Sequence, residues 1–251
     1  MKTGIQVSSL KPLLLTAEQV CLAFENIAAL GCRYVQLQWI DPSVPIADIA
    51  EALKRNRLES VGIQDFYETV MDDIEYYVNL NQATGGIWVA VSRIPERCKS
   101  TEGLDVFVQE LRKLESRLAS LGQKLCFHPV TGDFLAVPGL NAVEYLMEQL
   151  PDMALCLDLY HLNRCCGDMP GFIRRYAGRI PMVHFKDADE TGRLVPAGQG
   201  TVRWEGLMEA FREAGVTWGF AEQEQWEGDP YDCLAQALAW IHGKWTMENG
   251  K

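Results

Sequence analysis

At 251 residues, 48% of them hydrophobic, the chain has the length and apolar content of an ordinary globular protein, which sets aside the disordered and fibrous classes. Its 23 basic against 34 acidic residues leave a net charge of −11 with no basic stripe to offset it, so nucleic acid is not an expected partner. No apolar run approaches the roughly 18 to 20 residues of a spanning helix. Met1 leads within a few residues into a strand pattern rather than a signal segment, so no membrane is expected and the expected location is the cytoplasm.

The first β-rich run is GIQV, beginning at Gly4. Thr16 with Gln19 then makes a capping-box pattern ahead of Val20, Phe24 and Ile27, and Gly31 stops that helix. YVQLQ, SVGIQ and GIWVAV follow as further strands, separated by helical patterns. Phe107, Leu111, Leu114, Leu118 and Leu121 recur at spacings of four and three up to Gly122, the buried stripe of a long helix. KLCFH, ALCLD, IPMVHF and WGFAE complete the strands. Asp229 and Pro230 open a last helix with Leu234, Leu238 and Ile241 as its stripe, expected to end at Gly243.

Eight strands, the first seven each followed by a helical pattern, in units of about 25 to 40 residues, are the arithmetic of an α/β fold of the (β/α)8 TIM-barrel type. We read it as a single domain over residues 1–251. A doubly wound open sheet competes, but it would place a ligand loop, usually glycine-rich, after its first strand, and SSLKPLLL is not glycine-rich. The eight cysteines are scattered without CxxC spacing, which suits mostly buried thiols in a reducing compartment. The adjacent Cys165 and Cys166 are read as loop or core thiols rather than ligands.

Chemistry concentrates at the ends of the last four strands. LCFHP, CLDLYH, MVHFKD and FAEQEQ place His128, Asp158, His161, His184, Lys186, Glu222 and Glu224 where buried strands open into loops. Imidazole and carboxylate converging on one barrel face suit a divalent metal. Strand alternation makes His184 and Lys186 share a face, and likewise Glu222 and Glu224, with Phe185 and Gln223 turned away. Each residue has a bland reading: a strand-end histidine as a hydrogen-bonded structural group, Asp158 as a helix cap, Lys186 as a surface partner of Asp187. The coincidence argues against these, since three of the chain's four histidines fall at successive strand ends. Gln36, Gln38 and Trp39 after the second strand, and Gln64 after the third, are further pocket candidates.

The stretch VHFKDADETGRLVPAGQGTVRWEGLMEAFREAGVTWGFAEQEQW combines a His-x-Lys-Asp strand end, a G-x-G turn, a tryptophan-led helix and an acidic last strand end. With GIQVSSL and ALGCRYVQLQ, it resembles the sugar-phosphate isomerase/epimerase family of xylose-isomerase-like barrels over essentially the whole chain. The resemblance implies one divalent ion, manganese, cobalt, zinc or magnesium, held by Asp158, His184, Glu222 and a group after the fifth strand. It implies a substrate contact at His161 and, with a different loop length, at Asp133. His128 stands where the family has a carboxylate, which puts a symmetric two-carboxylate proton relay in doubt and leaves one-sided chemistry available.

The implied activity is isomerisation or epimerisation of a sugar, keto-sugar or polyol through a metal-stabilised enediolate. Glu222, His128 and His161 would move protons, and Lys186, Glu224, Gln38 and Trp39 would meet the substrate. A keto-polyol dehydratase and a catalytically silent regulatory barrel are the alternatives. An apurinic endonuclease would need more histidines and a less acidic surface. A homo-oligomer is left open.

Overall fold

The computed structural model describes residues 1–247. Its strands are β1 (Lys2–Gln6), β2 (Tyr34–Leu37), β3 (Glu59–Phe66), β4 (Trp88–Ser92), β5 (Lys124–His128), β6 (Ala154–Asp158), β7 (Met182–Phe185), β8 (Asp187–Ala188), β9 (Leu194–Val195) and β10 (Trp218–Ala221). Eight of them close into a barrel in the order β1-β10-β7-β6-β5-β4-β3-β2, every neighbouring pair parallel. β8 and β9 form a separate antiparallel hairpin in the loop that follows β7. This is a (β/α)8 barrel with helices between the strands, as the alternation of patterns predicts.

The expected signals act where they were placed. Thr16 accepts the Gln19 N–H at the start of helix Ala17–Ala29, and the Gln19 side chain accepts the Leu15 N–H in return. Phe107, Leu111, Leu114 and Leu118 are buried in helix Thr101–Ser120, but Leu121 lies past its end and is exposed. The last helix, Pro230–Met247, runs through Gly243 instead of stopping there. An interior glycine costs a helix only about 1 kcal/mol, and the flanking Trp240 and Trp245 pack against the core.

Two layers fill the barrel. The lower layer is apolar: Val61, Ala90, Cys126, Ala154, Cys156, Met182 and Phe220, floored by Tyr34, Trp88 and Trp218. Above it each barrel strand, or the residue just after it, contributes a polar group: Gln6, Gln36, Gln64, Ser92, His128, Asp158, His184 and Glu222, all buried. A wider apolar core lies outside the barrel wall, with Phe24, Phe107, Phe127, Phe185 and Phe211 fully buried in it. The polar upper layer opens toward the carboxyl ends of the strands, the face on which barrels of this type build sites.

The G-x-G turn has a structural job. Asp187 accepts the N–H groups of Ala188, Gly198, Gly200 and Val202, so one buried carboxylate organises the loop after β7. A Cβ on Gly200 would fall 2.2 Å from Asp187 Oδ1, and Gly198 has φ of +88° with Trp240 against it. Asp187 is therefore committed to the loop and does not pair with Lys186. All eight cysteines are free, three buried and five half-buried, so the thiols are less buried than expected. No helix among the described residues is long and apolar enough to cross a membrane.

Candidate metal centre

His128 ends β5 and Asp158 ends β6; His184 lies within β7, and Glu222 follows β10 directly. One ligand atom from each of the four lies within 4.8 Å of every other, and all four residues are buried. The parallel register explains the meeting: Asp158 is level with His184, and His184 with Phe220, two residues before Glu222. Side chains of one parity on adjacent strands must then face the same interior point.

The hydrogen bonds around His184 decide which of its nitrogens is available. Gln64 Nε2 donates to Gln38 Oε1 (3.2 Å), and Gln36 Nε2 donates to Gln64 Oε1 (3.3 Å). That leaves Gln36 Oε1 facing His184 Nε2 at 2.6 Å. An amide oxygen only accepts, so Nε2 carries the proton, with the Cys156 sulfur 3.1 Å from the same nitrogen, and Nδ1 of a neutral His184 carries a lone pair. Nδ1 lies 2.6 Å from Glu222 Oε2 and 3.2 Å from His128 Nε2. Two acceptors at 2.6 Å are unfavourable unless a proton or a cation lies between them.

The carboxylates make the same demand. Asp158 Oδ1 accepts the His161 N–H (3.1 Å) and caps helix Leu159–Asn163, so the cap reading of this residue holds for one oxygen. Its Oδ2 is buried with no hydrogen-bond partner among the described residues, and so is Glu222 Oε2. Glu222 Oε1 takes the Ser8 hydroxyl at 3.4 Å. Burial disfavours the Glu222 charge, but the opposing influences, led by the Lys186 ammonium, outweigh it and hold this carboxyl well below the usual range. Buried carboxylate oxygens without donors are costly to leave unpaired. The donor set, two imidazoles and two carboxylates, fits a divalent transition metal.

His128 is pushed well below the ordinary imidazole value by burial and then by His184, so it is neutral. Its Nδ1 meets Ser92 Oγ at 3.2 Å, which engages both ring nitrogens within the cluster. His161 stands higher: Nδ1 meets Thr131 Oγ1 at 3.0 Å, and Nε2 lies 3.8 Å from Asp158 Oδ2. Burial lowers its pKa too, yet 19% of its side chain remains exposed.

Lys186 points into the same space. Its ammonium lies 2.6 Å from Glu224, 3.6 Å from Glu222 and 3.7 Å from Asp158. Burial opposes its charge, but the three carboxylates outweigh burial and raise its pKa. Glu224 is pushed up to about 8 by burial and by the neighbouring Glu222 charge. Gln38 and Trp39 line a cavity of about 350 Å³ beside the cluster, with Gln64, Asp65 and Phe66.

Asp133 is not among the convergent groups. Its oxygens take the Ile94 and Val130 N–H groups, both at 2.8 Å, and burial pushes its carboxyl up to about 6. It shapes the loop after β5 and lines a cavity of about 440 Å³ with Ser92 and Arg93. Cys165 donates to the His161 carbonyl and stands outside the donor set. His242 bonds Thr3 at the opposite end of the barrel. The residues that sequence reasoning passed over are Gln6, Ser92 and Thr131. Gln6 is wholly buried, level with Gln36, and neither amide atom has a partner among the described residues. Its one readable signal is a glutamine ending an apolar strand, the same signal carried by Gln36 and Gln64.

The chain belongs to the xylose isomerase-like TIM barrel family, whose family model matches residues 24–242. In fold it is similar to a sugar phosphate isomerase/epimerase from Parabacteroides distasonis, with a TM-score of 0.78 and 15% identity over 96% of this chain and 93% of that one. It is also similar to an L-ribulose 3-epimerase, with a TM-score of 0.78 and 17% identity over 98% and 95% of the two chains. A third similar structure is the probable 3-DHS dehydratase AsbF of Bacillus anthracis, with a TM-score of 0.72 and 16% identity over 96% and 99%. At these identities the likeness concerns the fold. No curated protein matches the chain.

Proposed function

We propose that this protein is a divalent-metal-dependent isomerase or epimerase acting on a sugar, keto-sugar or related polyol. The observation that carries the reading is the convergence of His128, Asp158, His184 and Glu222 within 4.8 Å, with acceptor atoms facing one another across a buried point. Asp158 Oδ2, Glu222 Oε2 and His184 Nδ1 are the donors we assign to the ion, with His128 Nε2 as the fourth. A divalent ion held there would polarise a substrate carbonyl and neutralise charge that develops on its oxygens.

The remaining groups then have distinct tasks. His161, neutral and partly exposed, is the proton carrier we assign, since both nitrogens of His128 are engaged inside the cluster. Proton transfer needs a group at the mouth that can take a proton and return it, and a neutral, partly exposed imidazole can do both. Glu222 is the second candidate to take a proton from the carbon beside the carbonyl. The Lys186 ammonium, with Glu224 beside it, offers donors to substrate hydroxyls, and Gln38 and Trp39 line the adjoining cavity. The fold-level likeness to sugar isomerases and epimerases supports a sugar-like substrate, and a cytoplasmic location fits the free thiols.

Dehydration of a keto-polyol is the second reading, favoured by the His128 site. An imidazole engaged on both nitrogens cannot mirror Glu222 on the opposite side of a substrate, and elimination needs only one proton abstraction. Manganese titration of the wild type and Asp158→Asn tests the metal assignment. Stoichiometric binding by the wild type and at least about 100-fold weaker binding by the variant is the expected result, since even outer-shell changes cost about 10- to 100-fold. A wild type that takes up no divalent ion would sink the proposal and leave the regulatory barrel. Product analysis in D2O then separates the two reactions: deuterium at carbon without loss of water marks isomerase or epimerase, and loss of water marks the dehydratase.

A further inference from the structure

Among the described residues three that are not glycine have positive φ, and two of them stand at strand ends on the mouth: Trp39 after β2 (φ +56°) and Arg93 after β4 (φ +69°). For bulky side chains such backbone costs about 1 to 3 kcal/mol and persists where the placement of the side chain matters. Both turns feed one stack. The Arg93 guanidinium carbon sits 4.1 Å over the Phe66 ring, Phe66 meets Trp39 edge to face at 5.9 Å, and Lys11 Nζ sits 4.6 Å over Trp39. A cation, two aromatic rings and a second cation thus cross the mouth from the loop after β4, over the end of β3, to the segments that follow β2 and β1.

Phe66 is shared by two cavities. One, of about 350 Å³, is lined by Lys11, Gln38, Trp39 and Gln64; the other, of about 440 Å³, by Ser92, Arg93 and Lys99. Ser92 is the residue whose hydroxyl meets His128, so the second cavity adjoins the donor cluster.

Charge says what would come here. The chain carries a net charge of −11, yet Arg93 and Lys11 make no side-chain ion pair or hydrogen bond among the described residues. The acids lining the cavities have partners: Asp65 takes the Phe66 N–H and the Tyr77 hydroxyl, Asp41 the Ser43 N–H, Asp133 two backbone N–H groups, and Glu96 pairs with Lys99. Glu68 alone lacks one there, and it does not pair with Arg93. With its guanidinium carbon 4.1 Å over the Phe66 ring and no hydrogen bond spent on the described residues, Arg93 keeps its fork of N–H donors for a ligand, and such a fork suits a carboxylate or phosphate.

We infer that the substrate is an acidic sugar or polyol, whose oxyanion is held by Arg93 while its C–H face lies on Phe66 and Trp39. The inference rests on the metal-centred reading for what happens at the other end of that molecule.

The test is calorimetric titration of the whole protein with Mn²⁺ present, using D-gluconate and D-ribulose 5-phosphate as charged probes and D-sorbitol and D-ribulose as their neutral counterparts. The wild type should bind one charged probe about tenfold or more tighter than its counterpart, as expected of a charge-assisted hydrogen bond. Whichever charged probe gains more distinguishes carboxylate from phosphate. Arg93→Gln should remove the preference, and Arg93→Lys should keep part of it. Equal affinity for charged and neutral probes in the wild type, undetectable binding of all four included, or a preference that survives in Arg93→Gln, overturns the inference. Titration with Mn²⁺ alone separates the two claims. If the wild type binds no ion, the metal reading fails, whereas loss of the charged-probe preference in an Arg93→Gln protein that binds Mn²⁺ normally supports the oxyanion site.

Discussion

The two halves of the barrel mouth are built from opposite chemistry. From β5 through β7 to β10 the upper layer is titratable: His128, Asp158, His184, Lys186 and Glu222. From β1 to β3 it is neutral amide: Gln6, Gln36 and Gln64, with Gln38 just above. The charged half cannot satisfy itself, because its acceptors face one another and two carboxylate oxygens have no donor among the described residues. The amide half cannot exchange a proton, but a chain of amides has a direction, and that direction ends on His184 Nε2. One half demands a cation; the other fixes which nitrogen of the shared histidine meets it.

The largest expected effect comes from taking the internal cation out of the charged half. Lys186→Met leaves Glu222, Asp158 and Glu224 without their shared partner, and breaking a buried ion network costs about 3 to 5 kcal/mol. Chemical denaturation of the metal-free protein should show a loss of that size, and added Mn²⁺ should recover more stability in the variant than in the wild type. An unchanged midpoint would mean that the three carboxylates do not depend on Lys186.

Next in size is the amide half acting on the charged one. Gln36→Leu removes the acceptor on His184 Nε2, so the ring loses its tautomer preference, and Mn²⁺ affinity should fall by about tenfold. ¹⁵N chemical shifts of the His184 ring should move from a protonated Nε2 toward a mixture. A variant with wild-type affinity and an unchanged tautomer would reduce the glutamine chain to packing.

Gln6 should give the smallest effect and the opposite sign. Its amide is fully buried and unpartnered, so Gln6→Leu should stabilise the protein by about 1 kcal/mol, since an unpaired buried amide costs about 1 to 3 kcal/mol. A destabilised Gln6→Leu would show that this amide is satisfied in solution.

The contrast between the halves also marks what the sequence could show. Short β-rich apolar runs alternating with helical patterns were enough to place the eight strands, and the histidines and carboxylates at their ends to bring His128, Asp158, His184 and Glu222 to one face. Helix caps at Thr16 and Asp229 were readable because capping is local. Gln36 and Gln64 could be named only as pocket candidates, since an amide at a strand end looks the same whether it lines a pocket or orients a histidine. Asp133 does line a cavity, but the two backbone N–H groups that engage its oxygens are revealed by no pattern. Asp187 was free to be read as a partner of Lys186 until the loop through Gly198 and Gly200 closed around it. Arg93 stands out only through its backbone angle and the ring beneath it, both products of the closed barrel.

The most direct test of the four-donor claim is anomalous diffraction at the manganese edge from crystals grown with Mn²⁺. The account predicts a single peak about 2.0 to 2.3 Å from Asp158, His184 Nδ1 and Glu222, with His128 Nε2 as the fourth protein ligand. A peak bound through His184 Nε2, a peak elsewhere on the barrel, or no peak at saturating Mn²⁺ would contradict it.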